Sequence, residues 1–126
     1  MQYKIDRETA EHQYKLYEEH FEVEPDEETA EDFIKLIMRG RVDLEGDTFI
    51  YQLKNPIELE NDKPAIKQLK VAEMSGNDLE KLSSASDSPF TQIFKYLEKL
   101  NGVPFSVIGR AKKSDIEALS TLVNFF

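Results

Sequence analysis

The two histidines are the first side chains to consider for chemistry, because imidazole changes charge near neutral pH and often binds metals. His12 and His20 fall in one predicted helix, eight residues apart, and this is not the i, i+4 spacing of a helical metal pair. Glu8 precedes His12 by four residues, the spacing of a local helical pair. We therefore interpret both histidines as surface residues rather than ligands or general bases.

Carboxylates are abundant, yet their order does not match a metal-binding loop. The chain has no D-x-[DN]-x-[DN]-G sequence that would fold around calcium. Asp43, Glu45 and Asp47 alternate around a glycine turn and would attract a cation only weakly. A glycosidase-like carboxylate pair stays open, because such residues pair in space, but no pattern favours it. We predict no metal site.

Nucleophile and phosphate-binding patterns are also missing from the sequence. There is no cysteine, and the serines at positions 83, 84, 86 and 88 lie outside any G-x-S-x-G elbow, with no histidine in that half of the chain. The five glycines are scattered singly, unlike those of a phosphate-cradling loop. We interpret the serine cluster as a loop, and we predict a protein that is not an enzyme and has no cofactor.

The charge balance restricts the class of partner. Sixteen Lys and Arg stand against twenty-five Asp and Glu, a net charge of −9 that repels a phosphate backbone and argues against nucleic-acid binding. Residues 18–32 hold nine carboxylates and no Lys or Arg, and are either a solvated face or a docking surface for a basic segment. The one dense basic run, Arg110 to Lys113, is either a solvated loop or a rim for an acidic partner.

The sequence shows no membrane or export signal. No stretch approaches the roughly 18 to 20 apolar residues of a membrane span, and the first residues lack the features of a signal peptide. We predict a soluble, cytoplasmic protein without membrane contact.

Hydrophobic periodicity predicts two helices followed by a small sheet. The first helix runs from about Arg7 to Phe21, and the second stops at Arg39-Gly40. The period then changes from 3.6 to 2, which predicts two strands around the turn Glu45-Gly46-Asp47, with Pro56 at an edge or bulge. The alternation resumes in residues 57–60, and residues 65–72 form the returning strand. The expected antiparallel sheet has two to four strands.

The second half of the chain is predicted to be helical, with recognisable caps. Ser75 with Asp78 begins one helix, and Ser88-Pro89 begins another, which ends at Asn101-Gly102. Residues 103–110 form an apolar connector, and Ser114 with Glu117 forms a capping box for the last helix. The stripe of the helix before the connector consists of Phe90, Ile93, Phe94, Leu97 and Leu100.

Together these elements predict an α+β fold, in which a small antiparallel, hairpin-based sheet packs against about four to five helices. We expect one domain over residues 1–126, with an acidic helical segment at 1–46 and the hairpin and later helices at 47–126.

The last helix is apolar over more than half its circumference. Ile116, Leu119, Val123 and Phe126 share one face, and Ala118, Leu122 and Phe125 the adjoining one. Two interpretations remain open: the helix is wholly core, or part of its apolar surface meets another chain.

From Thr48 to Phe126, about five-eighths of the chain, the sequence resembles the tail assembly chaperones of contractile-tailed bacteriophages, the Mu-like and P2-like family. The matching elements, in order, are "LKNPIEL", "IKQLKV", "SGNDLEKL", "LNGVPFSVI" and "SDIEALSTLVNFF". The chain departs from the family at "AEMSG", where many members carry an Arg-Pro pair, and residues 1–46 lie outside the pattern.

The resemblance implies a non-catalytic phage or prophage protein that binds the tape-measure protein in the bacterial host during tail assembly. Relatives are often made in a second, frameshifted form. The residues expected to carry partner binding or self-association are Ile116, Leu119, Leu122, Val123, Phe125 and Phe126. The alternative hypotheses are a structural particle subunit or adaptor that self-assembles through this helix, and a small enzyme built on the acidic segment.

Overall fold

Three antiparallel strands lie between two helical parts of the chain in the computed structural model, which describes residues 3–84 and 88–126. The N-terminal part contains α1 (Arg7–Phe21) and α2 (Glu27–Met38). The sheet follows with β1 (Val42–Glu45), β2 (Thr48–Ile57) and β3 (Ile66–Ala72). The C-terminal part contains α3 (Gly76–Ser84), α4 (Pro89–Asn101), α5 (Phe105–Ile108) and α6 (Lys113–Phe125). The described residues thus confirm the α+β prediction, with six helices rather than four to five.

Side-chain caps define the starts of α1 and α2. The carboxylate of Asp6 accepts a hydrogen bond from the backbone N–H of Thr9 at 2.8 Å, and Asp26 accepts one from Thr29 at 2.7 Å. The predicted bounds of α1 are confirmed, and Gly40, with φ 70°, follows the last turn of α2 as predicted.

The sheet has the order β1-β2-β3, and its irregularity falls where the proline predicts it. Gly46 has φ 62° in the β1–β2 turn, a backbone conformation that glycine adopts without strain. The register of β2 with β3 shifts between Gln52 and Ile57, the stretch that contains Pro56, so the predicted bulge is confirmed. The expected continuation of the strand through residues 58–60 is wrong, because β2 ends at Ile57.

The predicted caps of α3 and α4 are confirmed. Ser75 and Asp78 exchange hydrogen bonds between side chain and backbone at 3.2 Å, and Ser88 Oγ accepts from the backbone of Thr91 at the start of α4. Gly102 ends α4 with φ 68°. The predicted connector after it contains the one-turn helix α5 instead of remaining non-helical.

The predicted serine loop is wrong for Ser83 and Ser84, because their backbone forms the end of α3. Ser88 caps α4, and Ser86 lies outside the described residues.

The core lies between the sheet and helices α1, α2 and α6. Its centre is aromatic: the ring centroid of Phe33 in α2 lies 5.2 Å from that of Phe49 in β2 and 4.9 Å from that of Phe125 in α6. Tyr14 and Tyr17 of α1 pack on the same cluster. These tilted and edge-on contacts are the favoured geometries for aromatic pairs, so the two ends of the chain share one interior with the sheet.

The start of α6 corrects the predicted capping box. The helix begins at Lys113, one residue earlier than a Ser114 cap requires, and its N-cap residue Lys112 makes no side-chain cap hydrogen bond. Asp115, in the first turn, instead points into the protein and is fully buried. Its carboxylate accepts hydrogen bonds from the Tyr51 hydroxyl at 2.6 Å and from two backbone N–H groups of the β2 bulge, those of Lys54 at 2.8 Å and Asn55 at 2.9 Å.

We expect Asp115→Asn to lower the free energy of unfolding by about 3 kcal/mol. The amide keeps one acceptor oxygen but turns an NH₂ group toward hydrogen-bond donors of β2, which are then left without a partner inside the protein. Urea unfolding measures the loss. Asp62→Asn, an isosteric change in the exposed β2–β3 loop, is the control and should stay within about 0.5 kcal/mol of the parent. Equal stability of the two variants would contradict the role of Asp115.

Candidate functional site

Half of the residues predicted to bind a partner lie in the interior of the protein. Leu119, Leu122 and Phe125 are at most 1% exposed, on the face of α6 that packs against α2 and the sheet. The ring of Phe125 contacts Phe33 and Phe49 at the centre of the aromatic cluster. In this structure these three side chains serve the core, so a partner cannot reach them without displacing α6.

The other three predicted residues are partly exposed at the border of the core. Ile116, Val123 and Phe126 pack against the buried cluster but remain partly open to solvent. The ring of Phe126 lies 5.0 Å from that of Phe21 and 5.7 Å from that of Phe49, measured between centroids. The chain end is therefore docked on its own protein, and α6 offers a partner only a narrow apolar border.

A broader uncovered apolar area lies on α4. Near its C-terminal end the apolar stripe is covered: Tyr96 and Leu97 are buried, and the side chain of Asn101 exchanges hydrogen bonds with the backbone N–H and C=O of Lys70 in β3. The hydroxyl of Tyr96 donates to the carbonyl of Ala72, the last residue of that strand. Asn101 thus lies beside Lys70, and Tyr96 lies beside Ala72, the last residue of β3. The turns of α4 that precede Tyr96 therefore extend beyond the end of the strand.

The N-terminal turns of α4 therefore carry the same stripe beyond the sheet. Phe90 is 56% exposed, and Ile93 and Phe94 are only partly buried. Phe94 is partly covered by α5, since its ring lies 3.5 Å from the position that a Cβ on Gly109 would occupy. The stripe predicted from sequence is thus divided into a covered end and an uncovered end.

Helices α3 and α5 each contact α4 through a lysine side chain, and each has one exposed apolar side chain. Leu79 of α3 is 56% exposed and Phe105 of α5 is 37% exposed. Lys99 of α4 forms an ion pair with Asp78 of α3 at 2.5 Å, and the Lys95 ammonium lies 5.3 Å from the centroid of the Phe105 ring. We call the following five residues on the three helices the α4 apolar surface: Leu79, Phe90, Ile93, Phe94 and Phe105.

Sequence reasoning placed Phe90, Ile93 and Phe94 on one stripe but did not identify them as a surface. A helical stripe reports which residues share a face, and it does not report how far the covering element extends. The missing information was the length of β3, which ends opposite Tyr96.

The ionisable residues considered for chemistry are spread over the surface. His12 and His20 are exposed as predicted, and His20 Nε2 lies 2.8 Å from a carboxylate oxygen of Asp47. Asp43 and Glu45 are also exposed. Among residues 3–84 and 88–126, no group of three His, Asp or Glu side chains is arranged to hold a metal ion.

The predicted basic run makes two local contacts. Arg110 donates to the backbone carbonyl of Glu58 at 2.9 Å, and Lys113 lies 3.7 Å from the carboxylate of Glu117. Lys112 is exposed. These contacts join the run to the residue that follows β2 and to the first turns of α6.

Comparison with models of protein families gives no match for this chain, and neither do searches among curated proteins and solved structures. Within the described part of the chain, none of the helices combines the length and the apolar character that crossing a bilayer requires.

We predict that Phe125→Ala lowers the free energy of unfolding by about 3 to 5 kcal/mol, because it opens a cavity among five aromatic rings. Phe126→Ala should cost about 1 to 2 kcal/mol, since that ring is already partly exposed. Chemical unfolding of both variants measures the difference. A loss for Phe126→Ala as large as that for Phe125→Ala would contradict this placement of the chain end.

The ion pair between α3 and α4 predicts an acid-sensitive contact. The Lys99 ammonium, followed by hydrogen bonds with Ser75, holds the pKa of the Asp78 carboxyl below its ordinary value of 3.8. A carboxyl whose pKa is lower in the folded protein stabilises that state above the unfolded pKa, and this contribution is lost as the pH falls through the folded pKa. NMR titration of the Asp78 carboxyl should therefore give a midpoint below 3.8, and Lys99→Gln should raise it. An unchanged midpoint in Lys99→Gln would rule out the ion pair as the main cause.

Proposed function

We propose that the protein is a non-catalytic assembly chaperone, and that it binds an apolar helical segment of another polypeptide through the α4 apolar surface. The observation that carries this proposal is the uncovered end of the α4 stripe, where Phe90 is 56% exposed while Leu97, on the same face, is fully buried. An amphipathic helix that docks on apolar side chains is a common mode of protein recognition. Single exposed apolar residues are ordinary, whereas Phe90, Ile93 and Phe94 continue one helical stripe past the strand that covers its other end, and a contiguous uncovered stripe is typical of an interaction site.

The resemblance to phage tail assembly chaperones supports the choice of partner. The α4 apolar surface lies within the part of the chain that carries the resemblance, and two of the matching motifs, "SGNDLEKL" and "LNGVPFSVI", lie in α3 and around α5. On this proposal the partner is the tape-measure protein, a long helical polypeptide, and the binding takes place in the cytoplasm of a bacterial host cell.

The composition of the surface suits reversible shielding of a partner. Covering Leu79, Phe90 and Phe105 would contribute roughly 1.5 to 3 kcal/mol for each side chain that is fully buried. The Lys95 ammonium lies over the Phe105 ring, and Lys99 pairs with Asp78, the residue before Leu79. A polar rim around a small apolar centre is typical of interfaces that form between separately folded proteins.

We expect the double variant Leu79→Ser/Phe90→Ser to lose co-purification of the tape-measure protein encoded beside it when the two are co-expressed. The changes remove apolar contact area from exposed positions, so the free energy of unfolding should change by no more than about 0.5 kcal/mol for each substitution. Affinity purification followed by quantification of the partner in the soluble fraction gives the measurement.

Leu16→Ser is the matched control, because Leu16 is a 44% exposed leucine on α1, outside the α4 apolar surface. It should leave co-purification unchanged. A double variant that still solubilises the partner contradicts the proposed surface. Rings or larger oligomers of the purified protein in light scattering, together with its presence in finished particles, would favour the alternative of a structural subunit.

A further inference from the structure

A cleft of about 620 Å³ lies along the face of α6 that adjoins its core-facing residues, and basic side chains from separate parts of the chain line it. Lys35 comes from α2, Arg39 is the C-cap residue of α2, Lys54 comes from β2, and Lys4 and Arg41 come from the segments before α1 and β1. We call this site the basic cleft. Tyr51 and the first turns of α6 form its wall.

The charge in this cleft is opposite to that of the protein as a whole. The chain has a net charge of −9, yet five of its sixteen Lys and Arg line this one cavity. Only two carboxylates join them, Asp32 and Glu117, and Glu117 lies 3.7 Å from Lys113 outside the lining. The cavity therefore carries an excess of three positive charges within an acidic protein.

These five cations outnumber the carboxylates that line the cleft. Among the described residues, none of the five forms an ion pair with a carboxylate, whereas Arg7, Lys99 and Lys113 do so elsewhere. Cations in excess of the nearby carboxylates repel each other, and such an arrangement focuses a positive potential into the cavity. A bound anion would relieve this repulsion.

Arg39, which lines the cleft, has a side-chain donor without a hydrogen-bond acceptor. Its Nε atom is buried and has no hydrogen-bond partner in the structure. The guanidinium lies 6.0 Å from the centroid of the Tyr3 ring, which holds one side of the group without satisfying its donors. A buried donor without an acceptor is costly, and guanidinium groups pair well with carboxylate and phosphate oxygens.

The surrounding backbone keeps the cations in place. The backbone N–H of Lys4 donates to the carbonyl of Met38 at 3.0 Å, and the aliphatic part of the Lys4 side chain crosses Gly40 so closely that a Cβ there would lie 2.9 Å from its Cδ. Arg41 donates to the carbonyl of Gln52 at 3.3 Å. Position 40 therefore favours glycine for two reasons: its φ is positive, and a Cβ there would lie too close to the Lys4 side chain that enters the cleft.

We propose that the basic cleft binds a small, multiply charged oxyanion. Its volume lies in the range of small-ligand sites, and the acidic surface elsewhere opposes a long polyanion such as nucleic acid. The common chemistry is two or more anionic oxygen groups on one small molecule, which phosphate esters and polycarboxylates both supply. This site is separate from the α4 apolar surface and does not depend on the proposed chaperone function.

Isothermal titration with pyrophosphate and with citrate, at low ionic strength, tests the site on the full chain. We expect at least one of the two to bind with a dissociation constant below about 1 mM. Arg39→Gln and Lys54→Gln should each weaken that binding about tenfold or more, because each removes a charged hydrogen-bond donor. Asp32→Asn should strengthen it by removing an opposing charge. Preference for pyrophosphate would assign phosphate esters, and preference for citrate would assign polycarboxylates.

Lys67→Gln is the matched control, since it removes one positive charge from an exposed position on β3 that does not line the cleft. An equal loss of affinity in Lys67→Gln and in Lys54→Gln would overturn the proposal, as would binding of neither anion. Binding of a glutamate-rich peptide without either small anion would also overturn it. Because Lys54 is exposed, its substitution should leave the fold intact even if Arg39→Gln does not fold. The double variant Leu79→Ser/Phe90→Ser should bind the anion as the parent does, which separates this site from the proposed function.

Discussion

The three hydrogen bonds to the buried carboxylate of Asp115 hold α6 against the sheet, and the basic cleft beside α6 depends on this placement of the helix. An isolated carboxylate in a protein interior is strongly disfavoured, so it needs compensating partners. Tyr51, Lys54 and Asn55 supply three donors from β2. The position of Asp115 in the first turn of α6 adds the positive end of the helix dipole. The bulge and the carboxylate thus satisfy each other: one offers backbone N–H groups outside the regular β2–β3 register, and the other requires donors.

Fixing the first turn of α6 also determines which environment each of its faces meets. With Asp115 turned toward β2, the face with Leu119, Leu122 and Phe125 enters the core. The neighbouring face, with Ser114 and Thr121, lines the basic cleft. One helix therefore separates an aromatic interior from a cavity of converging cations. Tyr51 belongs to both environments, since it is buried, donates to Asp115 and lines the cleft; burial and the Asp115 charge together raise the pKa of its hydroxyl.

Sequence reasoning succeeded for features that depend on neighbours in the chain. The helix bounds at Arg7 and Phe21, the turn at Gly46 and the caps at Ser75 and Ser88 all follow from local spacing and backbone preference. It failed at the start of α6, because local spacing favoured Ser114 as the cap and the partners of Asp115 lie about 60 residues earlier, in an irregular part of β2.

Sequence reasoning did not predict the basic cleft, for a related reason. Its cations are distributed over positions 4 to 54, and no window of the sequence shows them as a cluster. The basic run at 110–113, in contrast, is conspicuous in the sequence because three cations lie within four residues. Arg110 and Lys113 nevertheless contact their own protein. The distance between cations in the chain is thus a poor guide to their convergence in space.

The length of α4 follows the same principle. Tyr96, Leu97 and Asn101 suffice to anchor it on β3, while the six residues from Phe90 to Lys95 project roughly 9 Å further. A helix needed only to cover the sheet would end its apolar stripe where the strand ends. The stripe continues instead through Ile93 and Phe94 to Phe90, and the proposed binding of a second polypeptide rests on the cost of keeping those apolar side chains in water.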